Sequence, residues 1–208
     1  MTTNGKLITF EGIDGSGKST QARLIQKFLR DNGYPSILTR EPGGSTGAED
    51  IRRLLVEGEP GRWSPETEIL LFTAARRDHM EQTILPALEA GKTVICDRFA
   101  DSTRVYQGAA RADLRDAVDQ LHKLMIGREP DLTFIFDMDP EKSLTRGLAR
   151  ESGEDRFEEF GLSFQQKLRA GFLALAQEFP ERCLLIDGQD TPAGVHAQIR
   201  PPLMALVE

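Results

Sequence analysis

The chain has 208 residues, 39% of them apolar and 28% charged, with a formal net charge of −7 and a pI near 5.1. That acidity argues against a general nucleic-acid binder, which needs a basic face. Two cysteines are too few for a disulfide scaffold, and no apolar run approaches the ~20 residues of a membrane span. The length suits one core and one domain. The opening MTTNGK carries no apolar signal region, so a cytoplasmic protein is expected.

Lys6–Phe10 reads as the first buried strand and runs directly into Gly12-Ile13-Asp14-Gly15-Ser16-Gly17-Lys18-Ser19. This is the G-x-x-x-x-G-K-[ST] phosphate-binding pattern. Its glycines let successive N–H groups turn inward on an anion. Lys18 brings charge to the β/γ-phosphates, Ser19 offers a hydroxyl to Mg²⁺, and the following helix points its positive end at the same anion. That helix is predicted over Thr20–Arg30, stopped by Asn32-Gly33. The chain is therefore read as binding a nucleoside triphosphate.

The second strand, Ser36–Thr39, leads into Arg40-Glu41-Pro42-Gly43-Gly44. Arg40 can fork onto a phosphate there, with Glu41 holding its geometry, although the pair also fits an ordinary surface turn. The longest helical pattern is Pro65–Ala90, with Ser64 as N-cap, Gly91 as stop and a bend at Pro86. Phe72 and Arg76 share a face of it, suited to stacking on a base and donating to its carbonyl, or equally to core packing and snorkelling. The strand Thr93–Cys96 ends at Asp97-Arg98, and Leu132–Phe136 ends at Asp137. Either aspartate could organise Mg²⁺; the adjacent arginine favours Asp97.

Further helices are predicted over Leu114–Ile126, Glu141–Arg150, Phe157–Glu178 and Pro192–Val207, the last broken by Pro201-Pro202, and Cys183–Ile186 is the fifth strand. Arg146 and Arg150 precede the charged segment Glu151–Arg156, which reads either as a cationic flap over a triphosphate or as a solvated charge run. Cys96 and Cys183 lie in apolar strands and read as core. His79, His122 and His196 form no cluster and are assigned no role. Five apolar runs without clean alternation, separated by helices, predict an α/β three-layer fold of the P-loop NTPase type with a parallel sheet. Ligands in such sheets gather at the carboxyl ends of the strands.

FEGIDGSGKST at 10–20, TREPGG at 39–44, LLFTAAR at 70–76 and DRFADSTRVYQG at 97–108, with the basic segment 146–156, together resemble the thymidylate kinase family over nearly the whole chain. The resemblance implies ATP as co-substrate, dTMP as acceptor, Mg²⁺, a homodimer, and a lid over about 146–157. It implies that residues 12–20, Thr20 included, bind ATP, and that Asp14 meets the deoxyribose 3′-hydroxyl. Arg40 and Arg98 clamp the monophosphate in a substrate loop with Glu41 and Pro42, while Asp97 serves Mg²⁺ and the acceptor phosphate. Phe72 stacks on thymine, Arg76 binds its O4, and Thr103 meets the other edge. Ser102, Tyr106 and Gln107 complete the substrate site, the last two beside the sugar. With Gly15 after the acid of the loop, the catalytic arginine is expected in the lid, at Arg150, and Arg146 on adenine. The family commonly has Tyr or His where Phe99 stands, and Glu41–Pro42 is expected cis. A guanine-reading switch protein would need N-K-x-D, and neither Asn4 nor Asn32 precedes a lysine. Another nucleotide or deoxynucleoside kinase on the same scaffold remains the nearer rival.

Overall fold

The computed structural model describes residues 5–59, 61–111, 113–148 and 160–208. Five parallel strands form one sheet in the order β2-β3-β1-β4-β5: β1 Leu7–Gly12, β2 Ser36–Arg40, β3 Thr93–Asp97, β4 Leu132–Asp137 and β5 Cys183–Asp187. Each predicted strand is present, and each extends past its apolar run. Register aligns those ends, with Arg40 opposite Asp97, Phe10 opposite Asp97 and Asp137 opposite Asp187. The functional edge of the sheet is thus a polar row at the end of an apolar slab.

One face of the slab packs Phe10, Phe134 and Phe136 against Ile25 and Leu29 of α1 (Lys18–Asp31) and Ile199 and Leu203 of α9 (Pro192–Val207). Phe10 meets Phe134 edge-on at 5.5 Å. On the other face Ile135 packs with Leu168 and Phe172 of α8 (Leu162–Glu178), and Leu7 and Val94 pack with Ile84. Both cysteines are buried and free, as their apolar surroundings predict.

Four regions depart from the sequence-based expectation. Helix α2 (Thr46–Val56) fills a stretch assigned no element. The pattern over 65–90 resolves into α3 (Pro65–His79), a π-helical turn Met80–Ile84 and α4 (Leu85–Glu89). Pro86 has no N–H for the carbonyl four residues back, and the hydrogen-bond pattern widens just ahead of it. After β3, α5 (Ala100–Thr103) continues into a second π-helical segment, Arg104–Arg111, again where no helix was predicted.

The expected break at Pro201-Pro202 does not occur, because α9 runs through both prolines. Interior proline costs ~3 kcal/mol or more. Here Ile199 and Leu203, on either side, are both fully buried in the core, and continuing the helix keeps them there. The remaining helices are α6 (Arg115–Met125) and α7 (Pro140–Leu148).

Candidate active site

Gly12 ends β1 at φ 135°, and a Cβ there would stand 2.7 Å from the carbonyl oxygen of Phe136. Strand and loop can meet this closely only through glycine. Gly17 caps α1 at φ 96° without a side-chain cap, leaving the first-turn N–H groups of α1 free to meet an anion. Lys18 is buried in the loop, donating from Nζ to Ile13 O at 2.8 Å and to Ser16 Oγ at 3.4 Å. Burial, and then the nearby Arg98 charge, lower its ammonium to about 8. Bound phosphates would act in the opposite sense. Ser143 of α7 donates from Oγ to the Asp14 carbonyl, tying the loop to the fourth strand's helix.

The loop faces a cavity of about 270 Å³ lined by Asp14, Lys18, Ser19, Arg40, Glu41, Pro42, Arg52, Val56, Phe72, Arg76, Asp97, Arg98, Phe99, Ser102, Thr103, Tyr106 and Gln107. Every residue assigned above to the acceptor lies here. Ser19 and Asp97, the pair assigned to Mg²⁺, line it together. Asp137, the rival carboxylate, has both oxygens engaged by Arg169 at 2.6 and 2.9 Å. Of the two aspartates at strand ends, Asp97 is the one that lines the cavity, beside Ser19.

Arg98 ties the glycine loop to the helix that follows β3. Its Nη1 donates to Gly12 O at 3.1 Å and Ser102 Oγ at 2.9 Å; its Nη2 donates to Asp14 Oδ1 and, at 3.1 Å, to Tyr106 Oη. Its backbone is held at φ 71°, the one non-glycine residue beyond the usual region among those described. Tyr106 in turn donates to Asp14 Oδ2 at 2.7 Å. Burial would raise the Asp14 carboxyl, but Arg98 and Lys18 outweigh it and hold it at about 2. Glu11, fully buried behind the loop, accepts from Phe99 N at 2.7 Å and Ser102 Oγ at 2.6 Å. Burial, reinforced by Asp101, pushes it up to about 7.

At the other end, Arg76 is buried, donating from Nε to Glu41 Oε2 at 2.7 Å and from Nη2 to Thr103 Oγ1 at 3.0 Å. Burial opposes ionisation of Glu41, yet Arg76 and His79 prevail and its carboxyl sits below the usual range. Gln107 is held by Glu68, Nε2 to Oε2 at 3.0 Å. Phe72 is half-buried one turn before Arg76, its ring against the cavity. The Glu41–Pro42 peptide is cis, as expected.

Helix α2 buttresses this loop. Glu49 accepts from Gly44 N at 2.9 Å and from Arg40 at 3.1 Å, and Arg52 donates to Pro42 O at 2.6 Å. Arg52, Val56 and Phe99 line the cavity without having been predicted, and Glu11 and His79, equally unpredicted, are buried behind that lining. Gly12, Ile13, Gly15, Ser16 and Gly17 form the loop itself, and Thr20 is exposed on the first turn of α1. Arg146 is exposed on α7, its Nη1 3.6 Å from Met138 Sδ, outside the cavity lining. Arg150 and the rest of the segment at 149–159 lie outside the described residues.

Two anion cradles thus open on one cavity, a backbone cradle at the end of the central strand and a side-chain cradle opposite. A parallel sheet so equipped defines a P-loop phosphotransferase. The thymidylate kinase family model matches residues 10–199. The chain is 72% identical to thymidylate kinase of Dinoroseobacter shibae over 199 residues, covering 96% of each, and 64% identical to that of Ruegeria pomeroyi, covering 96% of this chain and 94% of the relative. A crystal structure of thymidylate kinase from Ehrlichia chaffeensis superposes with a TM-score of 0.78 at 36% identity, covering 97% of this chain and 99% of that one. The chain belongs to the thymidylate kinase family, ATP-dependent nucleoside monophosphate kinases acting on dTMP. No described helix is long and apolar enough to cross a membrane.

Proposed function

We propose that this chain transfers the γ-phosphoryl of ATP to the 5′-phosphate of dTMP, with ATP on the glycine loop and dTMP in the cavity opposite. The observation that carries this reading is Arg98, which reaches the loop carbonyl of Gly12 with one nitrogen and Asp14 with the other. Two anions must be brought end to end, and Lys18, Arg40 and Arg98 gather positive charge at one place in an acidic chain. Mg²⁺, held by Ser19 and Asp97, would neutralise phosphate charge. Arg98 and Arg40 hold the acceptor phosphate, and Asp14 accepts from the sugar 3′-hydroxyl. Phe72 stacks on thymine, Arg76 donates to its O4, and Thr103 meets its opposite edge. Tyr106 and Gln107 flank the sugar. The acceptor is already an anion at neutral pH, with a second pKa near 6, so catalysis is positioning and charge stabilisation without a general base.

We further read the chain as one kinase domain whose lid, about 146–157, supplies Arg150 to the transferring phosphoryl and Arg146 to adenine. The active form is read as a homodimer, supported by exposed Leu70, Leu124 and Met125 on α3 and α6. A coupled ADP-release assay over dTMP, dUMP, UMP, CMP and thymidine tests the reading. Turnover should be highest with dTMP; preference for thymidine or a ribonucleotide would overturn it.

A further inference from the structure

His79 is the last residue of α3, immediately before the π-helical turn, and is fully buried outside the cavity lining. Its Nε2 lies 2.7 Å from Thr39 Oγ1 and its Nδ1 lies 3.0 Å from Glu41 Oε1. The second oxygen of Glu41 takes Arg76 Nε at 2.7 Å, and Arg76 Nη2 reaches Thr103 Oγ1 at 3.0 Å. The ring therefore belongs to a continuous chain, Thr39–His79–Glu41–Arg76–Thr103, buried from His79 onward, whose far end opens on the cavity. An ionised Glu41 can only accept, so Nδ1 carries a hydrogen. With a neutral ring, Nε2 then accepts from the Thr39 hydroxyl, and each polar atom of the ring is matched. The Gly43-Gly44 turn lies flat against this ring, since a Cβ on Gly44 would stand 2.3 Å from Nε2.

We propose that His79 is a positioning residue for recognition of the pyrimidine ring: by anchoring Glu41 from behind, it fixes the plane of the Arg76 guanidinium, without touching substrate. This rests on the reading of Arg76 as the donor to the base. An arginine on a flexible stem has many rotamers, and a carboxylate fixed at only one oxygen would still swing. The histidine removes that freedom by holding the other oxygen, so the donor is set before the nucleotide arrives.

Initial-rate kinetics with each substrate varied in turn, on His79→Ala, His79→Gln, Thr39→Val and Arg76→Lys, test the inference, with thermal unfolding of each. His79→Ala should raise KM for dTMP about tenfold, the scale of one misaligned hydrogen bond to a charged group. KM for ATP and kcat should stay within about threefold of the parent. His79→Gln, whose amide can donate to Glu41 and accept from Thr39, should recover most of the loss, and Thr39→Val should show a smaller rise of the same kind. An unchanged KM for dTMP in His79→Ala, or equal rises for both substrates, overturns the inference. Should His79→Ala fail to fold, Thr39→Val decides, and an unchanged KM for dTMP there overturns it. Arg76→Lys separates the two layers. If it leaves KM for dTMP unaltered, the reading of Arg76 is wrong; if it raises KM while the His79 and Thr39 variants do not, only the relay is wrong.

Discussion

The two halves of the cavity are built on opposite plans. The half we assign to ATP is a contiguous run, 12–19, in which glycines set the shape of the backbone. The acceptor half is assembled from side chains on β2, α3, β3 and the helix after it, each held by another side chain: Arg76 by Glu41, Arg98 by Asp14, Gln107 by Glu68. Phosphates are spherical in their demands and any array of N–H groups suffices. A nucleobase offers directional edges, so its partners must be aimed, and aiming needs support behind the contact.

The largest expected effect lies on the phosphate side. Arg150→Ala should lower kcat by about 10³–10⁵, as loss of an arginine finger does, with KM for dTMP little changed. Near-normal turnover would pass the role to Arg146 or Arg156. Next, Phe72→Ala should weaken dTMP binding by about 1–3 kcal/mol, the worth of one base–aromatic stack, with ATP binding intact in separate isothermal titrations. Equal losses for both nucleotides would erase the distinction between the halves.

Glu11 sits where the halves meet, and its proton links them to pH. With its carboxyl at about 7 in the fold and 4.5 as its ordinary value, the folded chain holds a proton that the unfolded chain releases across that interval. Its contribution to stability therefore falls as pH rises from about 4.5 to 7. Glu11→Gln should flatten that decline, measured as the difference in Tm between pH 5 and 7.5; an equal difference in parent and variant would contradict it.

The smallest expected change is in the fold of Arg40→Ala. Arg40 and Glu49 are both well exposed, 51% and 39% by side chain, and such pairs are worth under about 1 kcal/mol. Tm should hardly move while KM for dTMP rises. A large drop in Tm would place Arg40 among the buttressed arginines with Arg76.

The same contrast explains what the sequence disclosed. The glycine loop and the strand ends were legible because each is local, a fixed spacing or an apolar run. Helix α2 was not, because the string REPGGSTG opens it with turn chemistry. Nor was the helix after β3, whose Ser102, Thr103, Val105 and Tyr106 are middling helix formers. Packing of Val105 and Tyr106 against Phe164 and Phe172 overrides that weak propensity. His79 passed as idle because it has no neighbouring ligand in sequence. Its partners lie 38 and 40 residues away, across a fold that only the sheet brings together. Asp137, by contrast, rivalled Asp97 in sequence, with only the adjacent Arg98 favouring the latter; the partner that occupies Asp137, Arg169, lies 32 residues away.

Position 98 makes two demands that no other amino acid meets together. Its left-handed backbone suits glycine or asparagine, whereas its four contacts need the planar fork of a guanidinium. Glycine would relax the main chain and leave the carboxylate of Asp14 without its counter-ion; lysine would keep the charge and lose the fork. Any replacement here that eases the main chain therefore gives up the contacts that tie Gly12 and Asp14 to Ser102 and Tyr106.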